Sequence, residues 1–284
     1  MNLAITWDVT PEIIDGWKTP NLYGLLFVTG LISAFLVVKR MYKREGMSED
    51  TLDKLVIYMV LATIIGARLG HVFFYGPYFD HIDIQGIAQR GYFSHPLDIF
   101  KVWEGGLASH GGVLAILIAA YFYSKRVVKK PIVWTLDKLA APGAIAACFI
   151  RLGNLVNSEI VGVPNDKPWA FSFPHYYNDL THALDPTPRH PAQLYEAIAY
   201  LLIFFVMMYL YYKKDLVKIP GRILGWFLIL LFSARFFIEF IKIGQAERDA
   251  GLFLNTGQWL SIPFVLVGIY LVVRKVKGLN EEKV

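Results

Sequence analysis

The chain contains one cysteine, Cys148, among 284 residues. A single thiol excludes an intramolecular disulfide framework and any multi-cysteine metal site. Cys148 sits in a strongly apolar run, where a cysteine reads as a small, inert packing residue. Acidic residues are outnumbered, with 23 Asp and Glu against 28 Lys and Arg. The first twenty residues lack a basic leading segment and carry Asp8, Glu12 and Asp15, so they do not read as a cleavable signal peptide. No HExxH is present, which removes that class of metalloprotease. Ser109 and His110 are adjacent and so lack the separated geometry of a serine-protease pair. There is no internal repeat, and no matched pair of Gly/Pro-broken spans of the kind seen in inverted-repeat transporters.

What the chain has in excess is apolar surface. It is 55% hydrophobic with a mean hydropathy of +0.43, whereas soluble domains sit at about 45–50% apolar. A bilayer crossing needs about 20 residues. Seven stretches qualify, near 21–38, 55–75, 107–124, 133–152, 192–212, 221–241 and 258–273. The expected fold is all-α, a polytopic integral membrane protein forming one transmembrane domain over 1–284. Outer loops 76–106 and 153–191 would form its extracytoplasmic part, as short interfacial helices or a small head. Their Trp, Tyr, Phe, His and Pro suit ordered elements lying in the interface, most of the aromatics as a plain aromatic belt.

The net charge of +5 is explained by its distribution rather than by nucleic acid. Seventeen basic residues fall on one side of the spans: Lys39, Arg40, Lys43, Arg44 and Lys54, Lys125, Arg126, Lys129 and Lys130, Lys213, Lys214, Lys218 and Arg222, and Arg274, Lys275, Lys277 and Lys283. The other side holds seven: Lys18, Arg90, Lys101, Lys167, Arg189, Lys242 and Arg248. The positive-inside rule then places the N-terminus outside and the C-terminus in the cytoplasm, as seven spans require.

Polar groups interrupt these spans at a depth where they are expensive. In GARLGHVFFYG (66–76), Gly66 and Gly70 form a small-xxx-small face for close helix contact. Arg68 points elsewhere, either snorkelling, held in a structural ion pair, or touching substrate. WEGGLASHGG (103–112) opens the third span with four glycines and His110 one turn in. A lone intramembrane histidine is often only hydrogen-bonded between helices, yet a glycine-flanked helix start also offers free N–H groups to an anion.

RLGNLVNSEIVG (151–162) leaves a bilayer-grade run through Arg, Asn, Ser and Glu. If it continues as helix, Arg151, Asn154 and Ser158 share one face and can hydrogen-bond an anion or its ester oxygens. The bland alternative is a helix C-terminal cap at Gly153 or Asn154. RHPAQLYEA (189–197) brings Gln193, Tyr195 and Glu196 to the same end of the fifth span. In SARFFIEF (233–240), Arg235 and Glu239 are four apart and can pair on one helix face. A guanidinium is always charged and binds phosphate through two parallel donors, so two arginines facing a lipid-accessible cavity suggest a phospholipid headgroup.

With these residues assembled, the chain resembles the prolipoprotein diacylglyceryl transferases. The resemblance runs from Tyr23-Gly24 to QWLSIP (258–263) and rests on WEGGLASHGG, RLGNLVNSEIVG, RHPAQLYE, RFFIEF and TGQWLSIP in that order. It departs from the family signature at Ile150, where a glycine is usual, and at Leu155, where a phenylalanine is usual. The resemblance implies transfer of the diacylglyceryl group of phosphatidylglycerol to the lipobox cysteine of a preprolipoprotein signal peptide. It implies no cofactor, no metal and a bacterial cytoplasmic (inner) membrane location, while the charge distribution and span order place Arg151, His110 and the 189–196 block, and so the active site, toward the outer side. It also implies that His110, Arg151, Asn154 and Gly162 match essential residues, and that Tyr23, Glu159, Arg235 and Glu239 match essential or important ones. His110, Arg151 and Arg235 are then the catalytic candidates. Tyr23, Asn154, Glu159, Gly162, Glu239, Arg68, Gln193, Tyr195 and Glu196 are the substrate-binding ones. His110 is either the thiol's base or a lipid-positioning group beside two working arginines. Without the resemblance, a lipid scramblase or anion transporter without covalent chemistry is the alternative.

Overall fold

A computed structural model describes residues 4–14, 16, 20–82, 88–102, 105–178, 181, 183–213, 216–243 and 253–275. Trp103 and Glu104 of the WEGG stretch lie outside these residues, as do Asp15, Lys18, Lys214, Arg248, Lys277 and Lys283. Among the described residues, seven helices are long and apolar enough to cross a membrane. They are α1 (Leu22–Arg44), α2 (Glu49–Phe74), α3 (Ser109–Tyr123), α4 (Ile132–Val156), α5 (Ala192–Tyr212), α6 (Arg222–Ile238) and α7 (Thr256–Val273). A π-helical turn, Ser124–Val128, prolongs α3, and a 3-10 turn, Glu239–Ile241, prolongs α6.

Helices α1 and α2 outrun their apolar stretches for a common reason. α1 continues through Lys43 and Arg44, whose charges suit a helix C-terminus. α2 begins six residues before its expected start because Ser48 caps it, accepting from the Thr51 N–H, and Glu49 and Asp50 occupy its first turn. Hydropathy alone does not register such charged end turns.

Contacts divide the chain into two compact units, residues 1–40 with 136–284, and residues 41–135. In the 41–135 unit, α2 and α3 meet through glycine, as the small-xxx-small face predicts. A Cβ on Gly66 would lie 2.2 Å from the Ala115 Cβ, and one on Gly111 would lie 2.3 Å from the Gly66 carbonyl oxygen. Backbone touches backbone there, and no larger residue fits. The connection from α2 to α3 carries an antiparallel ladder of β2 (His81–Ile82) with β3 (Ala88–Gln89) and a 3-10 turn, Pro96–Phe100. Asp80 organises it, accepting from the Gly91 N–H at 2.7 Å and pairing with His95 at 3.0 Å. The Gly91 N–H, more than the histidine, holds the Asp80 carboxyl below its usual pKa.

In the other unit, α6 and α7 cross at Gly225 and Gly268, and Phe232 stacks on Phe264 with ring centroids 4.2 Å apart. Gly221, which precedes α6, has no side chain to cap it. Asp137 of α4 does so instead, accepting from the Gly221 N–H at 2.6 Å and the Leu224 N–H at 2.7 Å. At the opposite end of α4 lies a small head. Its parallel ladder joins β1 (Ile5–Thr6) to β4 (Phe171–Ser172), and a second ladder pairs β5 (Tyr177–Asn178) with β6 (Ala183–Leu184). Leu155, Val161, Phe171 and Phe173 form its core, with Trp7 against them and the Trp7 indole N–H donating to the Leu155 carbonyl at 3.0 Å. The β1–β4 ladder joins the N-terminal segment to the 153–191 connection, as the even number of α-helices between them, four, demands.

Asp185 ties the head together, accepting from the Thr187 N–H and from Asn178 and pairing with Arg189. Chiefly through Thr187, its carboxyl is held down at about 2. A depressed carboxylate stabilises the fold above its unfolded pKa of about 4 and loses that contribution as pH falls toward 2. Thermal unfolding in detergent checks both features. Gly111→Val should cost about 1–3 kcal/mol by overpacking, whereas Gly143→Ala, whose Cβ would meet nothing nearer than Phe227 at 3.9 Å, should be tolerated. Asp185→Asn should lower the midpoint at neutral pH, and that difference should shrink as the pH approaches 2.

Candidate active site

The site begins where α4 stops. The Glu159 N–H reaches back to the Asn154 carbonyl and the Ser158 N–H to the Leu155 carbonyl, both at 3.1 Å. With Ser158 at φ +53°, this is the double closure that usually places glycine in the left-handed position. The helix therefore does not run on to 162, and the expected stripe of Arg151, Asn154 and Ser158 does not form. Ser158 is buried beyond the helix end, its hydroxyl without a hydrogen-bond partner. The cap falls on Ser158, not on Gly153 or Asn154. Ile160 is also left-handed, at φ +58°, an unfavourable conformation for a β-branched residue.

That strained turn is held on both sides. Gln193 of α5, wholly buried, donates its side-chain amide to the Glu159 carbonyl at 2.6 Å. Gly162 then threads between two backbones, its N–H on the His190 carbonyl at 2.9 Å and the following N–H on the Ile241 carbonyl, also at 2.9 Å. A Cβ on Gly162 would sit 2.6 Å from the Ile241 carbonyl oxygen, so only glycine fits. Gln193 and Gly162 thus shape the turn. Tyr195 lies beside them, its hydroxyl 3.3 Å from His190 Nδ1.

On the turn's inner side Arg151 and Asn154 stay together, with Arg151 Nη1 donating to the Asn154 side-chain oxygen at 3.2 Å. Asn154 in turn donates to the Glu159 carboxylate at 2.8 Å. The Tyr23 ring packs against Gly153, where a Cβ would come within 2.7 Å of it. Arg151 Nε is 2.9 Å from Glu196 Oε2, and Tyr200 hydrogen-bonds the same guanidinium. Glu196 is 0% exposed and is shared: its Oε1 lies 3.6 Å from Lys242 Nζ. Lys242 continues to Glu239 at 3.2 Å. Arg151, Glu196, Lys242 and Glu239 thus form one alternating row of charges drawn from α4, α5 and the turn after α6.

This row corrects one expectation. Glu239 pairs forward with Lys242 rather than back with Arg235, because α6 tightens into a 3-10 turn at Glu239 and moves its carboxylate off the i, i+4 line. Arg235 is left with no carboxylate or hydrogen-bond partner among the described residues, and its Nε is buried unsatisfied. Lys242 escaped the sequence reading, which counted it only as an outer-loop charge. Its three-residue spacing from Glu239 was the available signal.

Arg68 and His110 belong to the 41–135 unit. Arg68 is 4% exposed and donates to the carbonyls of Asp98, Ile99, Gly105 and Gly106 at 2.5–3.2 Å, while stacking over Tyr92. Its guanidinium holds the loop before α3. His110 is the second residue of α3 and is exposed.

A family profile for prolipoprotein diacylglyceryl transferase matches residues 14–274. The chain belongs to the prolipoprotein diacylglyceryl transferase family. Relatives named phosphatidylglycerol–prolipoprotein diacylglyceryl transferase include one from Chloroherpeton thalassium, 44% identical over 98% of this chain and 97% of its own length. One from Porphyromonas gingivalis is 45% identical over 96% and 95%, and one from Tolumonas auensis is 40% identical over 95% and 97%. In this family member, the charge row makes a direct prediction. Glu196→Ala leaves two buried cations without their shared partner and should cost about 3–5 kcal/mol. In a Lys242→Met background the same change should cost distinctly less, read as a coupling energy in a double-mutant cycle of detergent unfolding.

Proposed function

We propose that the chain transfers the sn-1,2-diacylglyceryl group of phosphatidylglycerol to the thiol of a preprolipoprotein's lipobox cysteine. The thiolate sulfur attacks the glyceryl carbon that bears the phosphate ester. A C–S thioether bond forms, the C–O bond breaks, and glycerol phosphate leaves with the bonding electrons. Family membership supplies this reaction class. The observation that carries the reading here is Arg235: among the described residues its guanidinium has no carboxylate partner, while Arg151, Glu196, Lys242 and Glu239 match one another.

Negative charge grows on the leaving phosphate in the transition state, so a fixed cation beside it lowers the barrier without reorganising. Arg235 fills that part, and Arg151, oriented by Glu196 and Asn154, lines the approach. Asn154 and Tyr23 offer further hydrogen bonds to ester oxygens. The nucleophile is the substrate's own cysteine, whose thiol has a pKa of about 8.5. Its proton needs an acceptor with a pKa near 6.5, which is histidine chemistry, whereas arginine stays protonated. His110 is assigned that role. The excess of basic residues on the α1–α2, α3–α4 and α5–α6 connections supports placing them in the cytoplasm of a bacterial inner membrane. The 151–162 turn, at the other ends of the spans, then faces outward with the lipobox substrate.

The test is transfer from phosphatidylglycerol vesicles to a synthetic lipobox peptide, with the thioether product read by mass spectrometry. Arg235→Ala should lose about 100-fold in rate at unchanged unfolding temperature. His110→Gln should regain transfer when the peptide thiol is deprotonated in advance at high pH. Lipid movement between leaflets without any thioether product would contradict the reading.

A further inference from the structure

We propose that the connection between α3 and α4 holds a separate binding site for the phosphate-bearing headgroup of an anionic phospholipid. A cavity of about 380 Å³ opens there, lined by Tyr121, Ser124, Lys125, Lys129, Lys130 and Pro131, with Ile132 behind them. This lies toward the lower end of volumes that hold small ligands, about 300–1,000 Å³. None of these residues belongs to the charge row around Glu196.

The backbone builds the opening. α3 does not end in an ordinary cap but widens into the π-helical turn Ser124–Val128, a rare form that recurs at functional sites. Lys129 follows in a left-handed conformation at φ +52°. The Ser124 carbonyl takes the N–H groups of both Lys129 and Lys130. The wide turn keeps Lys125, Lys129 and Lys130 around one opening, and the Ser124 hydroxyl is fixed below by Thr135 at 2.5 Å.

The chemistry of the lining selects the ligand. Three of the seven lining residues are lysines and none is acidic. Among the described residues two of them meet aromatic faces rather than carboxylates: Lys125 Nζ lies 5.8 Å from the Tyr121 ring centroid, and Lys130 Nζ 4.3 Å from that of Trp134. Arg126 adds a fourth cation over Phe122 at 4.8 Å. Ammonium groups held over rings at the junction of two spans sit at headgroup level, and basic pockets there recognise acidic lipid heads. Tyr121, Pro131 and Ile132 supply the apolar wall that a glycerol backbone and the first acyl carbons require. A free phosphate ion would gain nothing from that wall.

Lysine footprinting of the whole, unaltered protein tests this in vesicles of phosphatidylglycerol mixed with phosphatidylcholine, against phosphatidylcholine alone. Anionic vesicles should protect Lys125, Lys129 and Lys130 from acetylation several-fold more than they protect the exposed Lys39 and Lys43. Equal protection of all five lysines would overturn the site as diffuse surface attraction. So would equal protection from inorganic phosphate with neutral vesicles, which would mean a plain anion site. Native mass spectrometry of Lys125→Ala/Lys129→Ala/Lys130→Ala should show retention of phosphatidylglycerol weakened about tenfold. The matching triple change to arginine should keep it, and retention unchanged by the alanines would contradict the proposal.

Discussion

The rest of the site depends on one carboxylate. Glu196 is fully buried between Arg151 and Lys242, and without it Arg151 would lose its carboxylate and Lys242 one of its two in a poorly solvated interior. The three side chains come from α4, α5 and the turn after α6, so their pairing fixes elements distant in sequence to one another. Such a pair is weak as a source of stability but strong as a constraint, because each misplacement exposes an unbalanced charge to low dielectric. The row continues to Glu239, which balances Lys242 in turn. Among the described residues, Arg235 has no carboxylate or hydrogen-bond partner. The cluster is thus a frame of matched charges.

The turn after α4 borders this frame at Arg151 and Asn154. Its backbone is unfavourable twice over, with Ser158 and Ile160 both left-handed. Such conformations persist only where the surroundings over-determine them. Here the determinants are the Gln193 amide on the Glu159 carbonyl, the close passage of Gly162, and the buried side chains of Leu155 and Val161 in the head core. The turn leaves Arg151 and Asn154 on the last turn of α4 with their side chains linked. Donors fixed before the lipid arrives need no reorganisation when charge develops, which is the main advantage a protein has over water as a solvent for phosphate departure.

Much of this was legible in the residues. Seven apolar runs became seven helices, since length and hydropathy decide what a bilayer accepts. Gly66 and Gly70 announced the α2–α3 contact, and Gln193 and Glu196 stood out as polar groups at the head of an apolar span. The failures share a cause, namely that side-chain partners are set by tertiary approach. Ser158 looked like the next rung of a helix, and nothing local marks a serine for a left-handed cap normally given to glycine. Arg235 and Glu239 had helical spacing, but the helix tightens between them. Arg68 was open to snorkelling, an ion pair or substrate, yet its donors meet carbonyls some thirty to forty residues along the chain. Lys242 read as one more loop charge because its burial depends on α5.

Glu196 holds Arg151 and Lys242 in place, which leaves Arg235 to take the phosphate in the proposed reaction. A structure of the protein with phosphatidylglycerol bound tests it most directly. The lipid phosphate should lie within hydrogen-bond distance of the Arg235 guanidinium, with the Arg151–Glu196 pair intact. A phosphate gripped by Arg151 with Glu196 turned away, and Arg235 not in contact, would contradict it.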